Sequence, residues 1–176
     1  MIHAVVLLAR QELVLAMRSR STQIFASVFA VLALAVAASG YIISGGSGMQ
    51  DFARTSASLL QLVILIVPLA SLVIGVLSFG ADRGYAEVLF SQPISRTAIL
   101  MGQVIGITAA LIGAEAIGFG AAGIVIFSYA GADGIGSYYL LVAGAVALTT
   151  IFVALASFIG AGAIGRKRTR ALAVAL

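Results

Sequence analysis

A chain of 176 residues with 62% hydrophobic and 9% charged residues, and mean hydropathy +1.18, has too little polar surface to enclose a core in water. That excludes a soluble enzyme or nucleic-acid module, so the net charge of +4 has to encode membrane topology rather than affinity for phosphate. Cysteine is absent, and His3 with the scattered Met1, Met17, Met49 and Met101 forms no metal-ligand cluster, so neither a metal site nor a cofactor is expected.

Apolar runs of about 20 residues suit helices across roughly 30 Å of hydrocarbon, and the period-2 alternation of a spanning barrel is missing. The expected class is an all-α membrane protein: an interfacial N-terminal helix, four transmembrane helices at about 24–43, 59–79, 97–127 and 138–164, and the start of a fifth. Residues 1–176 read as one membrane domain.

Residues 2–23 are too polar to span and too apolar to hang free. On a helical wheel His3, Arg10, Gln11 and Arg18 share about a third of the circumference, while Val5, Leu8, Leu13, Val14 and Leu15 fill much of the rest, the pattern of a helix lying in the membrane interface. A secretory signal is the competing reading, since Arg18 and Arg20 precede an apolar run and Ala35, Val36 and Ala37 resemble a cleavage site. The apolar run continues past that point, which argues against cleavage.

The second span carries Gln61 near one end and Pro68 inside, where the missing backbone donor predicts a kink. Residues 80–96, GADRGYAEVLFSQPISR, are the charged and turn-rich island in the middle of the chain. Gly80 and Gly84 punctuate the exit from the second span, residues 85–91 can form a short amphipathic helix, Pro93 ends it, and Ser95 or Thr97 offers an N-cap for the third span.

The third run is too long for a perpendicular span, about 45 Å at 1.5 Å per residue, so a tilted, broken or protruding helix is expected. Gly102, Gly106, Gly113 and Gly120 fall within about 40° on its wheel and predict close helix packing. Glu115 lies roughly opposite, on a face with Thr108, Leu111, Gly118 and Ala122. A mid-membrane carboxyl costs about 2.5–3.5 kcal/mol on insertion scales, so it should face protein or a water-filled cavity, either as a pathway or proton-linked residue or as an acid hydrogen-bonded to a neighbouring helix.

After the fourth span, Arg166, Lys167, Arg168 and Arg170 form a basic turn, and the apolar residues 171–176 read as the start of a fifth span in a fragment of a longer protein. With the N-terminus inside, Arg10, Arg18, Arg20, Arg83, Arg96, Arg166, Lys167, Arg168 and Arg170 are cytoplasmic and Arg54 alone lies outside. The island at 80–96 is therefore a cytoplasmic loop, fixed between two spans and suited to being gripped by a soluble partner.

The run from Gly84 to Arg96, followed by Ile99, Leu100, Met101, Gly102 and Gln103, resembles the first intracellular loop of type-2 ABC transporter permeases, and is most similar to the NosY-like branch associated with nitrous oxide reductase maturation. Arg10 to Leu13 and Arg18 to Arg20 resemble the elbow helix of that family. The resemblance implies an incomplete permease domain in a bacterial or archaeal inner membrane, with the N-terminus cytoplasmic and the loop at 80–96 as coupling loop. By position Glu87, Ser91, Pro93 and Arg96 would form the coupling region. Implied partners are a cytosolic ABC ATPase subunit, a second permease subunit as a homodimer, a periplasmic maturation factor and the lipid membrane, with no nucleic acid.

The chain carries no phosphate-binding loop of its own: the stretch 160–169, GAGAIGRKRT, has Arg166 where the lysine belongs. ATP hydrolysis is thus expected on the partner, and the chain is not expected to be an enzyme. Two rivals stand beside this reading. One is a membrane anchor or assembly protein without transport; the other is a membrane-embedded enzyme using Glu115, which lacks a second catalytic group.

Overall fold

The computed structural model describes residues 2–43, 52–80, 95–131 and 134–174, and five α-helices account for nearly all of them. α1 covers Ile2–Arg18, α2 Arg20–Ile43, α3 Phe52–Gly80, α4 Arg96–Ala130 and α5 Ile135–Val174. Four contain stretches long and apolar enough to cross a bilayer, at Arg20–Ser39, Thr55–Phe79, Thr97–Ser128 and Ile135–Gly160. The outward faces of these stretches are apolar: Leu65 is 72% exposed, Ile124 73%, Leu140 76% and Phe158 76%. Such a surface is stable against lipid and would aggregate in water. The protein is an all-α membrane protein.

Helix boundaries differ from the sequence reading where polar residues continue a helix. α3 starts at Phe52 rather than near 59, taking in Thr55 and Ser56, both buried. It passes Pro68 without ending. α4 is one unbroken helix of 35 residues, about 52 Å long. α5 runs for 40 residues through the basic stretch expected to turn, so residues 171–174 extend it instead of opening a separate helix. Nothing from Arg166 onward breaks a helix: Arg, Lys, Ala and Leu are good helix formers and no Gly or Pro intervenes.

Local chemistry sets the ends that matter. Ser95, in extended conformation, caps α4 by accepting the Ala98 N–H at 3.3 Å on its Oγ. Gly131, at φ 69°, closes α4 by donating its N–H to the Phe127 carbonyl, a left-handed turn that glycine adopts without penalty. Between α1 and α2, the Ser19 Oγ accepts the Thr22 N–H at 3.2 Å, which starts a new helix at a bend.

Close approaches between backbones define the packing. A methyl group on Gly75 would lie 2.6 Å from Ala156 Cβ, and one on Gly160 would lie 2.6 Å from Phe79 Cβ. Positions one turn apart on α3 thus meet positions one turn apart on α5 in the same order, and the two helices run parallel. α1 meets α4 likewise, with Gly102 against Leu8 and Gly106 against Glu12, each 2.6 Å from where a Cβ would be. Further along α4, Gly118 admits the Phe29 ring of α2. The bundle is two parallel layers, α1–α2 with α4 and α3 with α5, running opposite ways as successive spans must.

α1 is therefore more than a helix on a lipid surface. His3, Arg10, Gln11 and Arg18 are exposed, as the wheel requires, but the apolar remainder divides. Leu8 and Leu13 turn partly toward protein and Ala16 is buried, while Val6, Leu7, Val14 and Leu15 stay exposed.

An aromatic ladder runs through the α2–α4 layer and crosses to α5. Phe25 and Phe29 of α2 have ring centroids 5.7 Å apart, Phe29 meets Phe119 of α4 edge-on at 5.1 Å, and Phe119 meets Tyr138 of α5 edge-on at 6.2 Å. Each edge-on contact is worth about 0.5–1.5 kcal/mol beyond area burial.

Candidate functional site

The layers also meet through polar groups, and these form the site. Glu115, near the middle of α4, is 1% exposed. It sits where α4 turns its Leu111 and Ala122 face inward, both fully buried, so the carboxyl looks into the bundle rather than at lipid. Thr149 of α5, also fully buried, donates its hydroxyl to Glu115 Oε1. One turn toward the C-terminus of α4, the Tyr138 hydroxyl donates to the Phe119 carbonyl, a second α4–α5 tie. Glu115 Oε2 has no hydrogen-bond partner among the described residues, and neither have the buried hydroxyl oxygens of Ser71, Thr108 and Thr55.

Ser71 belongs to this neighbourhood by register. Gly75 lies against Val153 and Ala156, and one turn back on each helix brings Ser71 to the level of Thr149. Ser71 is fully buried. A carboxyl on α4, a hydroxyl on α5 and a hydroxyl on α3 thus gather at one depth of the bundle. No second acid or base accompanies Glu115 among the described residues, so the arrangement fits a hydrogen-bonded joint better than an acid–base pair.

The glycines of α4 divide. Gly102 and Gly106 take α1 at close range, whereas a methyl group on Gly113 or Gly120 would meet nothing within 4 Å. Gly118 and Gly123, off that stripe, receive Phe29 and Tyr138. Of the island at 80–96, Glu87, Ser91 and Pro93 lie outside the described residues, as does the Arg96 side chain; the Arg96 backbone is the first position of α4.

Thr149, Ser71, Gly75, Ala156 and Gly160 do not stand out in the hydropathy pattern, although a signal for four of them exists in their spacing. Ser71 and Gly75, and Ala156 and Gly160, are small residues four apart, the spacing that lets membrane helices approach.

A family model described as ABC-2 family transporter protein matches residues 6–176, nearly the whole chain. The chain belongs to that family. It is 35% identical over 121 residues to a Stutzerimonas stutzeri protein named Probable ABC transporter permease protein NosY, covering 68% of this chain and 44% of that protein. A Pseudomonas aeruginosa protein of the same name is 29% identical over 158 residues, covering 85% of this chain and 56% of that protein. The chain spans about half the length of the curated relatives it matches. As an ABC-2 family protein with four apolar helices, it is a multi-pass membrane subunit of the ABC transporter class.

Proposed function

We propose that this chain is a permease subunit that converts ATP hydrolysis on separate cytosolic subunits into movement of its two helix layers, and so into passage of substrate. One observation carries the reading: α3 and α4, which flank the island at 80–96, belong to different layers, α3 packing on α5 and α4 on α1 and α2. A partner that displaces the island acts on both layers at once. In this reading Glu87, Ser91, Pro93 and Arg96 form the grip, the N-terminus and the island face the cytoplasm of a bacterial or archaeal inner membrane, and two copies of the permease close the path. Glu115 stands at the joint between layers, and Gly102 and Gly106 carry α1 along with α4.

The similarity to NosY permeases supports a role in maturing nitrous oxide reductase, with copper or sulfur as cargo and a periplasmic factor as recipient. With no cysteine and one histidine in the chain, copper would need ligands from another subunit. The test is co-purification from membranes with a nucleotide-binding subunit, followed by transport in reconstituted vesicles. Glu87→Lys and Arg96→Glu should abolish ATP-driven transport while the subunits still assemble. Absence of any ATPase in the purified complex, or full transport by both variants, overturns the coupling role.

A further inference from the structure

We propose that Ser71, Glu115 and Thr149 bind one water molecule at the centre of the bundle, with Ser71 Oγ and Glu115 Oε2 as its direct partners and Thr149 holding the carboxyl in place. The proposal stands on geometry internal to the chain and does not depend on the transport reading.

Hydroxyls on the outer faces show what a membrane helix ordinarily does with such a group. Ser27 donates to the Gln23 carbonyl at 2.9 Å, Ser39 to Val36 at 2.9 Å, Ser128 to Val125 at 2.6 Å and Thr150 to Val146 at 2.8 Å, each within its own helix. Thr149, the neighbour of Thr150, instead crosses to Glu115. Ser71 does neither: its Oγ is buried without a partner among the described residues, as is Glu115 Oε2. A buried polar group left unmet is destabilising, and two of them on facing helices at one level answer each other's need.

The two oxygens do not bond each other directly, and a bridging water reaches between atoms too far apart for one bond. Water also suits either form of the carboxyl. It donates to an ionised Oε2 while accepting from the Ser71 hydroxyl; against a neutral acid it accepts from Oε2–H and donates to Ser71 Oγ. Two protein partners lie within the range found for buried waters. A water here lets the layers shift by a fraction of a helical turn without exposing a bare carboxyl to hydrocarbon.

Solid-state NMR of the protein in lipid vesicles tests this, with glutamate carboxyls labelled by carbon-13. The chain has three glutamates, Glu12, Glu87 and Glu115, and the signal missing from Glu115→Gln identifies the one in question. Magnetisation from water protons should reach the Glu115 carboxyl, should be lost in Ser71→Val, and should persist in Ser71→Thr, which keeps the hydroxyl. If Ser71→Val does not fold, Ser71→Ala removes the hydroxyl without adding bulk and should give the same loss. A wild-type Glu115 signal as dry as the core around Leu111 overturns the proposal. So does a wild-type transfer undiminished by removal of the Ser71 hydroxyl.

Discussion

Two seams run along α5 and are built from opposite materials. Toward α3 the contact is dry and close, with Gly75 on Ala156 and Gly160 on Phe79. Toward α4 it is polar, made by Thr149 on Glu115 and Tyr138 on the Phe119 carbonyl. Without a hydrophobic force between helices in lipid, the first seam holds by dispersion at one separation, and any added atom or lost contact is felt at once. The second holds through a few directional bonds, which can be broken and remade at a different offset. A bundle that moves should therefore keep the α3–α5 layer rigid and slip between α4 and α5.

The largest effect should come from wedging the dry seam. Gly75→Leu places a branched side chain where even a methyl group would lie 2.6 Å from Ala156 Cβ, and unfolding or loss of a monodisperse species is expected. Gly75→Ala should cost about 1–3 kcal/mol by overpacking, with Ala156→Gly in the same chain recovering most of it. Thermal unfolding followed by circular dichroism suits the measurement, because the chain contains no tryptophan. If Gly75→Ala is neutral and Ala156→Gly gives no recovery, the dry seam is not the rigid one.

At the polar seam the signature differs in kind. Thr149→Val keeps shape but strips Glu115 Oε1 of its hydrogen-bond donor, a loss of about 1–3 kcal/mol. Pairing it with Glu115→Leu removes the stranded carboxyl as well, and the double variant should be more stable than Thr149→Val alone. Additive losses would mean that Glu115 and Thr149 act independently, against the bond between them.

A smaller effect separates the two ends of the α4 glycine stripe. Gly106→Ala drives a methyl group to 2.6 Å from Glu12 Cβ and 2.7 Å from the Ala9 carbonyl oxygen, so α1 must lift from α4. Gly113→Ala meets open space and should gain up to about 1 kcal/mol of helix propensity. Opposite signs for these two alanines are the expected result; equal destabilisation would mean that the stripe is one continuous interface.

That division marks the limit of what could be read from the amino-acid order. Hydropathy located the four spans because burying a run of apolar residues in lipid is a property of the run itself. Ser95 was readable as one of two caps because capping is local. Partner choice is not local: Gly102 and Gly113 look alike on a wheel, and α1 alone distinguishes them. Glu115 could be flagged from its cost in hydrocarbon, but its partner Thr149 could not, since an isolated membrane threonine normally satisfies itself as Thr150 does. Gly75 and Gly160 sit in a small-residue spacing that marks a contact face without naming the helix that fills it.

The least of the effects lies where the two kinds of seam meet, at Glu12. This carboxyl belongs to α1, outside the spans, yet rests on the glycine contact with α4, and burial raises its pKa above the ordinary glutamate value. The folded protein therefore holds the Glu12 proton more firmly than the unfolded chain. The resulting stability is fully present below the unfolded value and is lost as pH rises through the folded one, so docking of α1 should loosen from acid toward neutral pH. Glu12→Gln removes the titration and should flatten that slope, leaving α1 as firmly held at neutral pH as the wild type is in acid. Cysteines introduced in pairs on α1 and α4 of this cysteine-free chain report the docking directly, through the rate at which a disulfide forms between them. An identical pH slope in wild type and Glu12→Gln would assign the α1 contact wholly to its glycines and group it with the dry seam.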